Sequence, residues 1–265
     1  MVLPNLLLLS SSRIPADQAR LHYAQSYIVD FLQGATQVTF VPYAGVMGAD
    51  EYVGRVRPAF EAMGLQLGSV HEERDPVESV RCAKALCVGG GNTHLLNRSL
   101  HRSGLREVIR KRVLEDGVPY IGWSAGSNVA FGGIDATNDM NIVSGTNFQG
   151  LGLIQGPLRL NPHFADALRV EDLPEKARRL AEEFMAAAPE VVSVLNHQGE
   201  TRERRIEEYL FLQKGPVIGL YEGGILLVQG ERMTLTGVAG ARVFRKDKEP
   251  AMYEPGSDLS FLLRE

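Results

Sequence analysis

The sequence predicts an α/β protein with a mostly parallel, mixed sheet flanked by helices. Two observations carry this. Short apolar runs alternate with longer helical stretches through the first half, and the last third changes to closely spaced, hairpin-like strands. Strands that alternate with helices give parallel pairs joined by right-handed crossovers.

In chain order, residues 6–9, 38–41, 65–70, 85–88 and 119–122 are each short and apolar enough to be strands buried on both faces. Between them, residues 16–33, 49–63, 93–100 and 105–115 read as helices. Near the C-terminus, residues 225–229 and 232–236 flank Gly230-Glu231, a two-residue loop with glycine first, as a type II′ hairpin turn prefers. Residues 217–220 and 241–245 read as further strands, so the tail is expected to add an antiparallel portion. No repeat, low-complexity tract or composition shift divides the chain, and a single domain over 1–265 is expected.

Bulk composition narrows the function. With 265 residues, 44% hydrophobic and 23% charged, the chain can bury a sizeable core. A net charge of -4 offers no basic field for a polyanion, which argues against nucleic acid as a partner. Cys82 and Cys87, read as lying in or beside one strand, have no Cys-x-x-Cys partner or histidine cluster. Neither a disulfide nor a metal is expected, and a reducing compartment fits. The N-terminal residues lack a charged n-region and a small-residue cleavage site, and the apolar run at 6–9 is too short to span a bilayer. A cytoplasmic protein without a membrane partner is expected.

One stretch stands apart. Ala177, Leu180, Ala181, Phe184, Met185 and Ala188 recur at helical spacing opposite Glu175, Lys176, Arg178, Arg179 and Glu182, between Pro174 and Pro189. This predicts an amphipathic helix whose apolar side, including Ala177, Leu180, Phe184 and Ala188, is buried against the body or a second subunit. A homodimer is left open.

The chemistry concentrates at Gly122-Trp123-Ser124-Ala125-Gly126, between an apolar strand and a helical stretch. A serine nucleophile needs that strained strand-to-helix turn, with glycines admitting close backbone and the helix N-terminus facing the developing oxyanion. Gly89-Gly90-Gly91-Asn92 follows another strand. It is neither a dinucleotide fingerprint nor a P-loop, and it could supply a second oxyanion donor from Gly90, Gly91 or Asn92. A serine also needs a base. Of six histidines, His22, His71 and His101 read as structural or solvated, His94 could line the site, and His163 sits in a loop stiffened by Pro162.

Taken together, Gly122–Asn128, Thr137-Asn138-Asp139-Met140, Asn161-Pro162-His163-Phe164 and residues 199–206 (Gly-Glu-Thr-Arg-Glu-Arg-Arg-Ile) closely resemble the peptidase E (α-aspartyl dipeptidase) family. Pro42–Val46 and Val88–Thr93 look like the same family's. The resemblance implies a fold related to class I glutamine amidotransferases, flavodoxin-like, with serine in place of cysteine. It makes Ser124 the nucleophile and His163 the base. The Ala125 N–H and one from Gly90 or Gly91 would form the oxyanion hole. Glu222, in Gly219-Leu220-Tyr221-Glu222-Gly223, becomes the third triad member, with Asp139 its competitor. Arg202 would recognise the substrate's aspartyl side chain, with Asp139 and Asn92 also at the substrate. No cofactor or metal is implied.

Two departures bear on specificity. Asn141 stands where the family usually has proline. The family also passes from the histidine to Gly-Glu-Thr-Arg by a short loop, where this chain carries about 30 extra residues, at about 168–197, including the amphipathic helix. The implied reaction is hydrolysis of Asp-Xaa dipeptides through an acyl-enzyme. The rivals are a broader serine aminopeptidase, a cyanophycinase-like β-aspartyl peptidase and, more remotely, a non-enzymatic flavodoxin-like binding module.

Overall fold

The computed structural model describes residues 4–17, 19–145, 147–166, 175–187, 201–213 and 215–265. Its centre is a seven-stranded sheet in the order β3-β2-β4-β5-β1-β8-β9. The strands are β1 (Asn5–Leu9), β2 (Gln37–Val41), β3 (Gln66–Ser69), β4 (Leu86–Val88), β5 (Tyr120–Trp123), β8 (Gly224–Gln229) and β9 (Arg232–Gly237). The first five pair in parallel, and β8 and β9 join antiparallel beside β1. Both the parallel core and the antiparallel tail are as expected. Of the two residues in the β8–β9 turn, Gly230 takes the positive φ of 68° and Glu231 does not, as a type II′ turn requires.

Strand alternation divides the core. Leu6 and Leu8 join one apolar cluster while Leu7 and Leu9 join the other, and all four are buried. Helices α1 (Gln25–Leu32) and α2 (Ala49–Glu61) cover the Leu7 side through Ile28, Phe31, Val53, Val56 and Phe60. Helices α3 (Pro76–Cys82), α4 (Thr93–Arg102) and α5 (Leu105–Leu114) cover the other through Val80, Leu96, Leu100, Leu105 and Ile109.

A second, four-stranded sheet has the order β11-β10-β7-β6, from β6 (Arg159–Phe164), β7 (Val217–Tyr221), β10 (Ala241–Arg245) and β11 (Lys248–Tyr253). Helix α8 (Arg202–Leu212) packs on it through Ile206 and Leu210 against Phe164, Val217 and Phe244. Strand β7 ends in this sheet and β8 begins in the large one, so Glu222-Gly223 is a two-residue link between sheets.

Several expectations need correction. The chain before α1 is not helical from residue 16. The Asp17 carboxylate accepts the Tyr23 N–H, and Leu21 is buried with φ 59°, so helix begins only beyond it. Cys82 is not in a strand but ends α3, exposed, while Cys87 is buried in β4. Helix α3 was not among the expected helices, although Asp75 accepts from the Val77 and Glu78 N–H groups and Pro76 takes the first helical position. His163 lies in edge strand β6 rather than a loop. Pro162, which would break a central ladder, is tolerated at an edge.

The amphipathic stretch forms α7 (Glu175–Ala187), as expected. Leu180, however, is exposed on this chain rather than buried. Ala188 and the remainder of 168–197 lie outside the described residues, as do the side chains of Ala181, Phe184 and Met185. Among the described residues no helix is long and apolar enough to cross a membrane.

Candidate active site

Ser124 stands between β5 and the short helix α6 (Ala125–Asn128), with φ 53° and ψ -116°. Few non-glycine residues adopt such a backbone, and holding one there costs about 1–3 kcal/mol. The turn is fixed from below. The Ser124 N–H and the Ser127 hydroxyl both donate to the Leu9 carbonyl at the end of β1, at 3.1 and 2.7 Å. A side chain at Gly126 would meet the Val88 carbonyl at 2.0 Å, so only glycine lets α6 sit this close to β4.

His163 is the odd residue of a parallel bulge. Pro162 pairs with Leu220 and Phe164 with Tyr221, leaving His163 over, at φ 56°. A bulge re-aims a side chain, and here it aims the imidazole at the elbow. Its N–H donates to the Ser10 hydroxyl at 2.8 Å, which itself donates to the Leu220 carbonyl at 2.8 Å. Buried Ser10, just past β1, thus fastens the small sheet to the large one beneath the histidine.

The ring bridges two partners: Nε2 lies 2.8 Å from Ser124 Oγ and Nδ1 lies 2.6 Å from Glu222 Oε1. A carboxylate can only accept, so the ring proton belongs on Nδ1 and Nε2 is left to accept from the serine hydroxyl. Burial pushes the Glu222 carboxyl up. The hydrogen bond from His163, the nearby Ser11 hydroxyl and the charges of His163 and Arg202 outweigh it, and the group lies below the ordinary glutamate range.

The other acid is elsewhere. Asp139 Oδ2 accepts the Thr93 N–H at 2.7 Å, at the start of α4, and its side chain lines the cavity wall. Asn92 caps α4, taking the Leu95 N–H at 3.0 Å and donating to the Met140 carbonyl at 2.8 Å. Its amide is thereby committed to the loop that carries Asp139. His94 is buried against Phe148 rather than lining the cavity, and burial holds its pKa down against the opposing charge of Asp139.

The glycine turn narrows the oxyanion donors. The Gly89 and Asn92 N–H groups donate to the Val41 and Ala44 carbonyls, which leaves Gly90 and Gly91 of the turn. Gly91, at φ 141° and pressed on the Ala44 carbonyl, admits no side chain. Among the described residues the Gly91 and Ala125 N–H groups have no acceptor.

Ser124, His163, Gly90, Gly91 and Asp139 line a cavity of about 350 Å³ together with Ser12, Arg20, Tyr52 and Trp123. Arg202 opens α8, capped by Thr201, and donates to the Pro162 carbonyl at 3.2 Å. It lines an adjoining cavity of about 790 Å³, and Asp139 belongs to both. Gly199 and Glu200 lie outside the described residues. Sequence reasoning missed Ser10, Arg20 and Tyr52, none of which sits in a motif that marks it. Among the described residues no three His, Cys, Asp or Glu side chains gather as a metal site would need.

A serine elbow, a bulged histidine and a glutamate in hydrogen-bonded sequence are the parts of an acyl-transfer site. The model of peptidase family S51 matches residues 6–236. The chain belongs to peptidase family S51. It is a serine peptidase. It is 40% identical to "Peptidase E" of Streptomyces coelicolor, over 98% of this chain and 95% of that one. It is 38% identical to a Drosophila melanogaster protein named "Probable alpha-aspartyl dipeptidase", over 98% of each. The crystal structure of a peptidase from an acI-B1 Actinobacterium shares the fold, with a TM-score of 0.64 at 18% identity, covering 98% of this chain and 97% of that one.

Proposed function

We propose that this family S51 peptidase hydrolyses Asp-Xaa dipeptides through an acyl-enzyme on Ser124. The observation that carries the reading is the continuous chain from Glu222 through His163 to Ser124, at 2.6 and 2.8 Å. His163 takes the hydroxyl proton as Ser124 Oγ attacks the scissile carbonyl, and Glu222 holds the tautomer and stabilises the imidazolium. The Gly91 and Ala125 N–H groups receive the oxyanion, a contribution worth about 3–4 kcal/mol per donor in related chemistry. The amine departs with the proton from His163. Water then enters, gives its proton to the same nitrogen, and releases aspartate.

Support for an aspartyl substrate comes from the names of the relatives and from Arg202. The charges of Asp139 and Glu222 surround this half-buried guanidinium, and its fork can hold a carboxylate through two parallel hydrogen bonds. Two free thiols, Cys82 and Cys87, suit a reducing cytoplasm.

A panel of Asp-Ala, Glu-Ala, Leu-Ala and β-Asp-Ala tests the reading. Wild type is expected to favour Asp-Ala. Arg202→Ala should lose about 30-fold or more in kcat/KM on Asp-Ala, as expected for truncating one partner of a buried charge pair, and change little on Leu-Ala. A wild type that prefers Leu-Ala or β-Asp-Ala would replace this specificity with that of a broader aminopeptidase or a β-aspartyl peptidase.

A further inference from the structure

Arg20 is a cation that the proposed reaction leaves without a task. It lines the same cavity as Ser124 and His163. Its Nη1 donates to the Ser12 hydroxyl at 2.8 Å, and its Nε is buried with no hydrogen-bond partner among the described residues. Arg13 and Arg55 add like charge near it, and among the described residues it makes no ion pair. Arg202 differs, since Asp139 and Glu222 offset its charge. A half-buried guanidinium with five donors and, among the described residues, one neutral hydrogen-bond partner and no ion pair is a group arranged to meet an anion.

Its neighbours add donors and no charge. The Tyr52 hydroxyl accepts from Trp123 Nε1 at 2.9 Å. No described residue takes the phenolic proton. Burial pushes that phenol up to about 12, so it remains a donor at neutral pH. The Ser12 hydroxyl accepts from Arg20, and its own proton has no acceptor among the described residues. Arg20, Tyr52 and Ser12 thus line one wall of the reaction cavity with three donor groups.

We propose that this wall is a carboxylate subsite in which Arg20, with the Tyr52 and Ser12 hydroxyls, holds the free C-terminal carboxylate of the dipeptide. The inference rests on the reading of this cavity as a peptidase site and assigns its second anionic contact. A dipeptide with N-terminal aspartate carries two carboxylates. With Arg202 in the adjoining cavity for the side chain, Arg20 beside Ser124 is left for the terminus. The cavity, about 350 Å³, is at the small end for ligand sites and suits a substrate that ends one residue past the scissile bond. Arg20 thereby acts as a length gauge, selecting dipeptides over longer chains whose carboxylate lies elsewhere.

The test compares kcat/KM on Asp-Ala with Asp-Ala-amide, which differ only in the terminal charge, and on Leu-Ala with Leu-Ala-amide. Wild type should favour the free acid of each pair by about tenfold or more. Arg20→Gln, which keeps a donor for Ser12, should erase that preference and leave the amides within about threefold of wild type. Arg20→Lys should restore part of it. A wild-type acid-to-amide ratio near one overturns the proposal without any variant. So does an Arg20→Gln enzyme that loses acid and amide alike, or one that instead loses the Asp-over-Leu preference. The Leu pair separates the two readings: a wild type without aspartyl preference refutes that specificity, while its acid-to-amide ratio still tests Arg20.

Discussion

The two halves of the proposed reaction centre come from two different sheets and are built by different means. The nucleophile half is local. Strand β5, Ser124 and α6 run consecutively, the Gly91 turn stands on the neighbouring β4, and every part sits at the C-terminal ends of parallel strands. The base half is assembled from afar. His163 and Glu222 are 59 residues apart, meet only because β6 and β7 pair, and are held by a bulge and by an interstrand link. A strained turn positions the serine; bonds between the two sheets position the groups proposed to activate it.

The largest expected effect lies in the local half. Ser124→Ala should lower turnover on the order of a million-fold, with a circular dichroism spectrum like wild type, since α6 and its Leu9 anchor do not need the hydroxyl. A variant that still turns over at the wild-type rate would place the nucleophile elsewhere.

Next comes the pairing of base and acid. Glu222→Ala should cost several orders of magnitude in kcat, because the imidazole loses the partner that fixes its tautomer. Asp139→Ala should act chiefly on KM, its carboxylate being held by the Thr93 N–H rather than by His163. The opposite pattern would move the acid role to Asp139 and undo the division drawn above.

The smallest effect sharpens the comparison most. Ser10 touches no reacting atom, yet its hydroxyl serves the His163 N–H and the Leu220 carbonyl at once. Ser10→Ala leaves both without that partner, at a cost of about 1–3 kcal/mol each where no water replaces it. Urea unfolding should show the lost stability, and kcat should fall with KM nearly unchanged. An unchanged kcat would mean that the bulge alone aims the histidine.

This contrast also explains how much could be read from the sequence. The elbow was legible because strand, strained serine and glycines are contiguous, and the first strands because four successive leucines can only be buried on both faces. The β8–β9 hairpin was legible from Gly230. The strand carrying His163 was not, because Pro162 argues against a ladder and only its edge position permits it. Nor could spacing choose between Glu222 and Asp139, since both are acids near a motif and the choice depends on which strands pair. Arg20 was invisible for another reason: its interest lies in the partners it lacks, and a sequence does not record missing contacts.

The link between β7 and β8 has a further consequence, for how such a chain can change over generations. Glu222 and Gly223 join one sheet to the other with nothing to spare, and Gly223 turns at φ 86°. Adding or removing one residue there would reverse the alternation of side chains along one strand or the other, and turn Glu222 away from the imidazole. A connection far from the triad tolerates such a change because no reacting group hangs on its length. At this joint the number of residues is itself inherited as part of the chemistry.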